Sequence, residues 1–265
     1  MRFVYFTKTL PSFQVDEWVR WCRAHGLDGV DLAVRPGYPV TPENAMEKLP
    51  LWREALMKAN LTIGLVTAPT SLNDPNHVDS RRLFKACQIA GIPAVKVGYF
   101  PFEVDYPAAR NKARKALKGF AALAEATGVK ALFHTHSGKY LGNNAAGQRL
   151  LLEGFDPHKV GSFLDTGHLA LCGGPFTTEL ELVKPWFSCL AIKDVEWTHS
   201  AKGWKNEIVP AGKGVVRWNE VGSALKSSGF EGTVSLHGEY SLEGPEKRGE
   251  MAAAEKDFLV KIFKP

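Results

Sequence analysis

The 265-residue chain is long enough for one large α/β domain or two smaller ones, and its 45% hydrophobic content supplies an ordinary core. The formal charge of +5 is mild, and its nearest approach to a basic run, Arg110 to Lys118, circles a helix; a solvated face is expected there and no nucleic-acid partner. No apolar run approaches the length of a membrane span, and Cys22, Cys87, Cys172 and Cys189 show no CxxC spacing, so they read as reduced thiols of a cytosolic protein.

Strand and helix signals then alternate. Arg2 to Phe6 reads as a first strand rather than a signal peptide, and Val15 to His25 as a helix closed by Gly26. Gly29 to Leu32 is a second strand. The next helix is expected to begin near Thr41-Pro42-Glu43, with threonine as cap and proline in the first turn. Leu61 to Val66 is a third strand; Asp74-Pro75 opens a helix running to Ala90, and Ala94 to Gly98 is the fourth strand. An Ala/Lys-rich helix over about 105 to 127 stops at Gly128.

The second half keeps the rhythm. Val129 to His134 is strand five, 145–153 a helix, and Gly161 to Asp165 strand six, followed by a turn at Gly167 and a helix around Thr178 to Lys184. Cys189 to Val195 is strand seven. Residues 196–214, rich in Trp, Lys and Gly, read as a long irregular segment able to act as a lid. Trp218 to Ser228 is a helix, Gly232 to Leu236 the eighth strand, and 245–262 a closing helix. Eight β-then-α units without linker composition predict a single (β/α)₈ TIM barrel over residues 1–265. The competing doubly wound sheet usually carries a glycine fingerprint after strand one, where this chain has Thr7-Lys8-Thr9-Leu10.

In such barrels the chemistry sits at the carboxyl ends of the strands. Those ends supply Lys8, Asp31 or Arg35, Lys96, His134 with His136, Asp165 with His168, Lys193 with Asp194, and His237 with Glu239. Side chains two apart on a strand point to one side. Imidazoles and carboxylates so placed suit a divalent ion such as zinc, manganese, cobalt or iron more than magnesium.

Leu27-Asp28-Gly29-Val30-Asp31-Leu32, Asp165-Thr166-Gly167-His168, Ile192-Lys193-Asp194 and Gly229-Phe230-Glu231-Gly232 carry a resemblance. Their order and spacing resemble the xylose isomerase-like sugar phosphate isomerase/epimerase family, which also contains ketose 3-epimerases and is distantly related to endonuclease IV. Typical members hold one metal with a Glu on strand five, an Asp on strand six, a His on strand seven and a Glu on strand eight. Here those positions are His134, Asp165, Ala191 and His237, so one ligand is missing and both glutamates are replaced.

His136 and Glu239 lie in phase with the lost ligands. The metal set implied is His136, Asp165, His237 and Glu239, with His134 as the leading substitute. The resemblance implies a sugar isomerase or epimerase acting on a small sugar or keto-sugar by metal-assisted proton abstraction beside a carbonyl. Glu239 or a histidine such as His134 takes the proton, His168 holds a substrate hydroxyl, and Lys193 holds an oxyanion or a phosphate as a point charge. Lys8, Arg35 and Lys96 are expected to bind substrate, and Trp197 and Trp204 to cover the sugar. A keto-glycoside lyase or hydrolase, a non-catalytic sugar-binding protein and an endonuclease IV-like enzyme are the other readings; a homo-oligomer is open.

Overall fold

Apolar, strand-length runs recur between helices, and in the computed structural model, which describes residues 1–102 and 104–263, they become β1 (Arg2–Phe6), β2 (Gly29–Ala33), β3 (Thr62–Thr67), β4 (Ala94–Lys96), β5 (Lys130–His134), β6 (Val160–Asp165), β7 (Phe187–Ile192), β8 (Asp194–Ser200), β9 (Gly203–Val209) and β10 (Thr233–Leu236). Eight of them close a parallel barrel in the order β1-β10-β7-β6-β5-β4-β3-β2, while β8 and β9 form a separate two-stranded sheet. The expected (β/α)₈ barrel is what the chain folds into. Around it run α1 (Val15–Ala24), α2 (Ala45–Lys58), α3 (Val78–Ala90), α4 (Tyr106–Thr127), α5 (Ala145–Leu152), α6 (Thr166–Cys172), α7 (Phe176–Val183), α8 (Trp218–Ser228) and α9 (Pro245–Phe263).

The strand period of two decides what the barrel contains. Val4, Leu65, Ala94, Leu132, Phe163, Cys189 and Ala191 form a buried apolar layer inside it. Two residues further along the same strands and their ends come Phe6, Thr67, Lys96, His134, Asp165 and Lys193, all of them buried. Apart from Phe6, the inward layer at the carboxyl end is therefore polar or ionisable. Outside the barrel, helix residues such as Trp18, Leu49, Leu83, Phe84 and Phe120 pack against the outward strand faces in one large cluster. Burying each such side chain contributes roughly 2–3 kcal/mol before conformational entropy is set against it.

Four expectations change. α2 begins at Ala45, because Thr41 and Asn44 hydrogen-bond to each other's backbone N–H groups and hold the stretch before it as a turn. α3 begins at Val78, because the Asp74 carboxylate accepts from Asn76 N at 2.8 Å and makes a local turn instead of a helix start. Where a turn was expected at Gly167, the short helix α6 follows β6 directly. The segment after β7 is not irregular: β8 and β9 pair antiparallel from Asp194↔Val209 to Ser200↔Gly203.

Candidate active site

The end of β6 sets the geometry. Asp165 is the last residue of the strand and the N-cap of α6, its Oδ1 accepting from His168 N at 2.9 Å. One carboxylate oxygen is thereby fixed on the helix, and Oδ2 is left facing the barrel axis. The next residue locks the neighbouring strand: Thr166 Oγ1 donates to the Lys193 carbonyl at 2.6 Å and accepts from Lys193 N at 3.0 Å. Gly167 makes room for that contact, since a Cβ there would stand 2.8 Å from the Lys193 Cβ.

Around Asp165 Oδ2 the strand ends converge. His134 Nε2 lies 3.4 Å away and His237 Nδ1 4.0 Å away, and one donor atom from each of His134, Asp165 and His237 falls within 4.8 Å of the others. All three side chains are buried, and His134 Nε2, Asp165 Oδ2 and both His237 nitrogens make no hydrogen bond. Unpaired buried polar atoms are costly one at a time. A cation among them would satisfy the set at once, and two imidazoles with one carboxylate and an open position suit zinc, manganese, cobalt or iron. The Tyr99 hydroxyl lies 2.8 Å from His134 Nδ1. In the tautomer whose Nδ1–H donates to that oxygen, Nε2 turns a bare lone pair toward Asp165.

Lys193 closes another side. Its Nζ stands 2.6 Å from Glu239 Oε2, 3.4 Å from Asp165 Oδ2 and 3.2 Å from His168 Nε2, and Lys8 pairs with the other Glu239 oxygen. Burial alone would lower the lysine's pKa, but the Asp165 and Glu239 carboxylates hold it above its ordinary value. In return, burial would raise both acids. For Asp165, Lys193 and the neighbouring imidazoles outweigh burial and hold the group well below the usual carboxylate range. For Glu239, His237 and Lys193 do the same. His168 is pushed down to about 3 and His134 well below its ordinary value, in each case chiefly by burial, so both imidazoles are neutral at pH 7.

A cavity of about 70 Å³ opens over these groups. Lys8, Arg35 and Lys96, expected to bind substrate, line it together with His134, His136, Lys193, His237 and Glu239. His136 stands outside the Asp165 triplet: its Nδ1 lies 2.7 Å from the Ser137 carbonyl, and its ring packs 4.1 Å from that of His168, whose Nδ1 meets Ser137 Oγ at 2.9 Å. Trp197 and Trp204 stand on the β8–β9 hairpin away from the cavity; Trp197 faces a separate groove with Leu169, Phe176 and Val215. Asp194 turns from the barrel altogether.

Sequence reasoning missed Tyr99, which lies past the end of β4 where no strand period points it anywhere. The available signal was a buried-type aromatic with a hydroxyl just after Gly98 at a strand's carboxyl end. Asp31 is sealed: its oxygens accept from Thr67 Oγ1 at 2.6 Å and Ser235 Oγ at 2.8 Å, and burial raises its pKa.

A family model described as a xylose isomerase-like TIM barrel matches residues 19–262. Among solved structures, D-psicose 3-epimerase with D-tagatose from Clostridium cellulolyticum H10 is 15% identical with a TM-score of 0.79, each chain covered to 100%. An IolI protein with a bound zinc atom is 19% identical, TM-score 0.78, with both chains covered to 100%. The 3-keto-D-glucoside 4-epimerase of E. coli in its apo form is 14% identical, TM-score 0.74, covering 97% of this chain and 99% of its own. No curated protein gives a significant match.

Proposed function

The chain belongs to the xylose isomerase-like TIM barrel family, and from that premise we propose that it is an enzyme of small sugars or keto-sugars that removes a proton from the carbon beside a carbonyl. The observation that carries this reading is the convergence of His134 Nε2, Asp165 Oδ2 and the His237 imidazole, buried and without hydrogen-bond partners, beneath a cavity ringed by cations. The solved relatives support it, since their names include ketose and keto-glucoside epimerases and one with zinc.

His134, Asp165 and His237 would hold a divalent ion, whose chemistry is to polarise the substrate carbonyl. The remaining work falls to the chain. Tyr99 fixes the His134 ring, and the α6 N-terminus fixes Asp165. Glu239, ionised at any working pH by its lysine and histidine neighbours, takes the proton. Its basicity in the resting pocket is low because Lys193 sits 2.6 Å away. A substrate oxyanion that draws the Lys193 ammonium toward itself weakens that pair and strengthens the base as charge develops. His168, neutral, has Nδ1 on Ser137 Oγ and Nε2 on Lys193 Nζ, so it positions the Lys193 ammonium and does not itself meet the substrate.

One feature favours a second reaction on the same groups. Glu239 is the one carboxylate lining the cavity among the described residues, Asp31 being sealed by two hydroxyls. Epimerisation by proton exchange across both faces calls for two bases, whereas elimination from a keto-glycoside needs one. Sugar release from oxidised glycosides, assayed beside ketose epimerisation, separates the two.

The test of the whole reading is metal content by elemental analysis of the purified protein and of Asp165→Ala. About one divalent ion per chain, absent from the variant, is expected; no ion in either after reconstitution sinks the metal-assisted mechanism.

A further inference from the structure

The cations around the cavity are not equivalent. Lys8 and Lys193 are both spent on Glu239, Lys193 also on Asp165. On the other side of the cavity, Lys96 and Arg35 make no hydrogen bond or ion pair among the described residues. Lys96 is 2% exposed, and its Nζ rests 3.5 Å over the Tyr99 ring. The Arg35 guanidinium lies over the rings of Phe6 and Tyr38, at 5.5 and 5.9 Å, and its Nε is buried without a partner. Both side chains line the cavity.

Burial pushes the Lys96 amine well below its ordinary pKa, so holding it as an ammonium against the cavity is costly without an anion, and the half-buried Arg35 guanidinium beside it meets no carboxylate among the described residues. An aromatic face offsets only part of that cost. The acids nearby cannot serve: Asp31 already accepts from Thr67 and Ser235, and Glu239 is held by its two lysines. A divalent ion at His134, Asp165 and His237 would add positive charge to the same small space. An anion arriving with the ligand would restore the Lys96 charge and give Arg35 the partner it lacks.

We propose that the substrate is a sugar acid, its carboxylate seated between Lys96 and Arg35 while its carbonyl end faces His134, Asp165 and His237. A planar two-oxygen anion matches one guanidinium edge and one ammonium, each oxygen accepting from one of them. The wall there is made of the side chains of Phe6, Arg35, Thr67, Lys96 and Tyr99. This deepens the reading of the cavity as a substrate site and rests on it.

The experiment is isothermal calorimetry of the full-length protein with matched pairs: neutral hexoses and ketoses against their uronic and keto-aldonic acids, with the corresponding ketose 6-phosphates as a third arm. At least one acid should bind at least about tenfold more tightly than its neutral partner, and that preference should fall below about threefold in both Lys96→Met and Arg35→Gln. Asp165→Asn, which disturbs the proposed metal site, should keep the preference, so a failure of the metal reading is told apart from a failure of this one. No acid exceeding its neutral partner, a phosphate exceeding both, or an acid preference undiminished in both variants overturns the proposal. Each variant is first checked for a cooperative thermal transition; replacing the unpaired Lys96 should leave the fold at least as stable.

Discussion

Asp165, the last residue of β6, and Asp194, two residues past the end of the neighbouring β7, are both fully buried acids, yet they do opposite things. Asp194 accepts five hydrogen bonds: Val195 N and Val216 N on Oδ1, and Gly212 N, Gly214 N and Trp218 Nε1 on Oδ2, all between 2.9 and 3.0 Å. It ties the start of the β8–β9 hairpin to the turn after it and to the first residue of α8, and it leaves no oxygen free. Asp165 has one oxygen on a helix cap and the other bare among imidazoles and an ammonium. A saturated carboxylate holds a fold; one with a free oxygen facing the barrel axis is free to hold a ligand.

The comparison breaks most visibly by exchanging the consequences. Asp194→Ala should cost about 3–5 kcal/mol, because it strands buried backbone donors and frees the 210–218 turn. Asp165→Asn keeps an oxygen for the His168 N–H and leaves Lys193 its Glu239 partner, so the metal-free protein should lose no more than about 1 kcal/mol while bound metal disappears. Urea denaturation of both variants, with metal stripped, reads this directly. Equal losses would mean that Asp165 is as structural as Asp194.

A third buried acid lies between these extremes. Glu255 on α9 accepts from Ala211 N at 2.8 Å and from the Tyr240 hydroxyl at 3.0 Å, with no cation beside it. Burial pushes its pKa from 4.5 up to about 7. The folded chain therefore binds this proton more tightly than the unfolded one, and the stability it contributes is full below pH 4.5 and lost as pH rises to about 7. The loss is on the order of 2–3 kcal/mol. Glu255→Gln should flatten that part of the stability–pH curve; an unchanged slope between the two pH values would place the proton elsewhere.

Much of the site was legible because strands alternate. Phe163 and Asp165, or Leu132 and His134, stand two apart, so an apolar inner layer announces the ionisable one above it. The same rule misleads once the strand stops. β5 ends at His134, and beyond it the backbone no longer alternates, so His136 turns to the Ser137 carbonyl and to His168 instead of joining Asp165. Helix α6 was hidden because Gly167 looks like a turn residue, although its role is to let Lys193 pass close. The hairpin was hidden by composition: Trp, Lys and Gly suggest a loop, but Val195, Trp197 and His199 alternate as a strand, and Ser200 and Gly203 close a two-residue turn. Which of several strand-end acids is free and which is saturated depends on backbone N–H groups from residues 212–216, and no local pattern reports that.

The smallest expected effect belongs to Tyr99, and it tests whether the bare side of the Asp165 region is organised or merely unfilled. The Tyr99 hydroxyl touches no metal-type donor except His134 Nδ1, at 2.8 Å, so its removal changes no ligand. If His134 is held as the tautomer with a free Nε2, Tyr99→Phe releases the ring to the other tautomer and to rotation, and zinc affinity should fall by about 10- to 100-fold. Stability should fall by only about 1 kcal/mol, since the aromatic ring that packs against His136, Tyr140 and Lys96 remains. A chelator competition titration measures the affinity directly. Unchanged affinity in Tyr99→Phe would mean that His134 is oriented by its packing against Phe163 and His237 alone, and the Asp165 side would then be held open by ring packing rather than by a hydrogen bond.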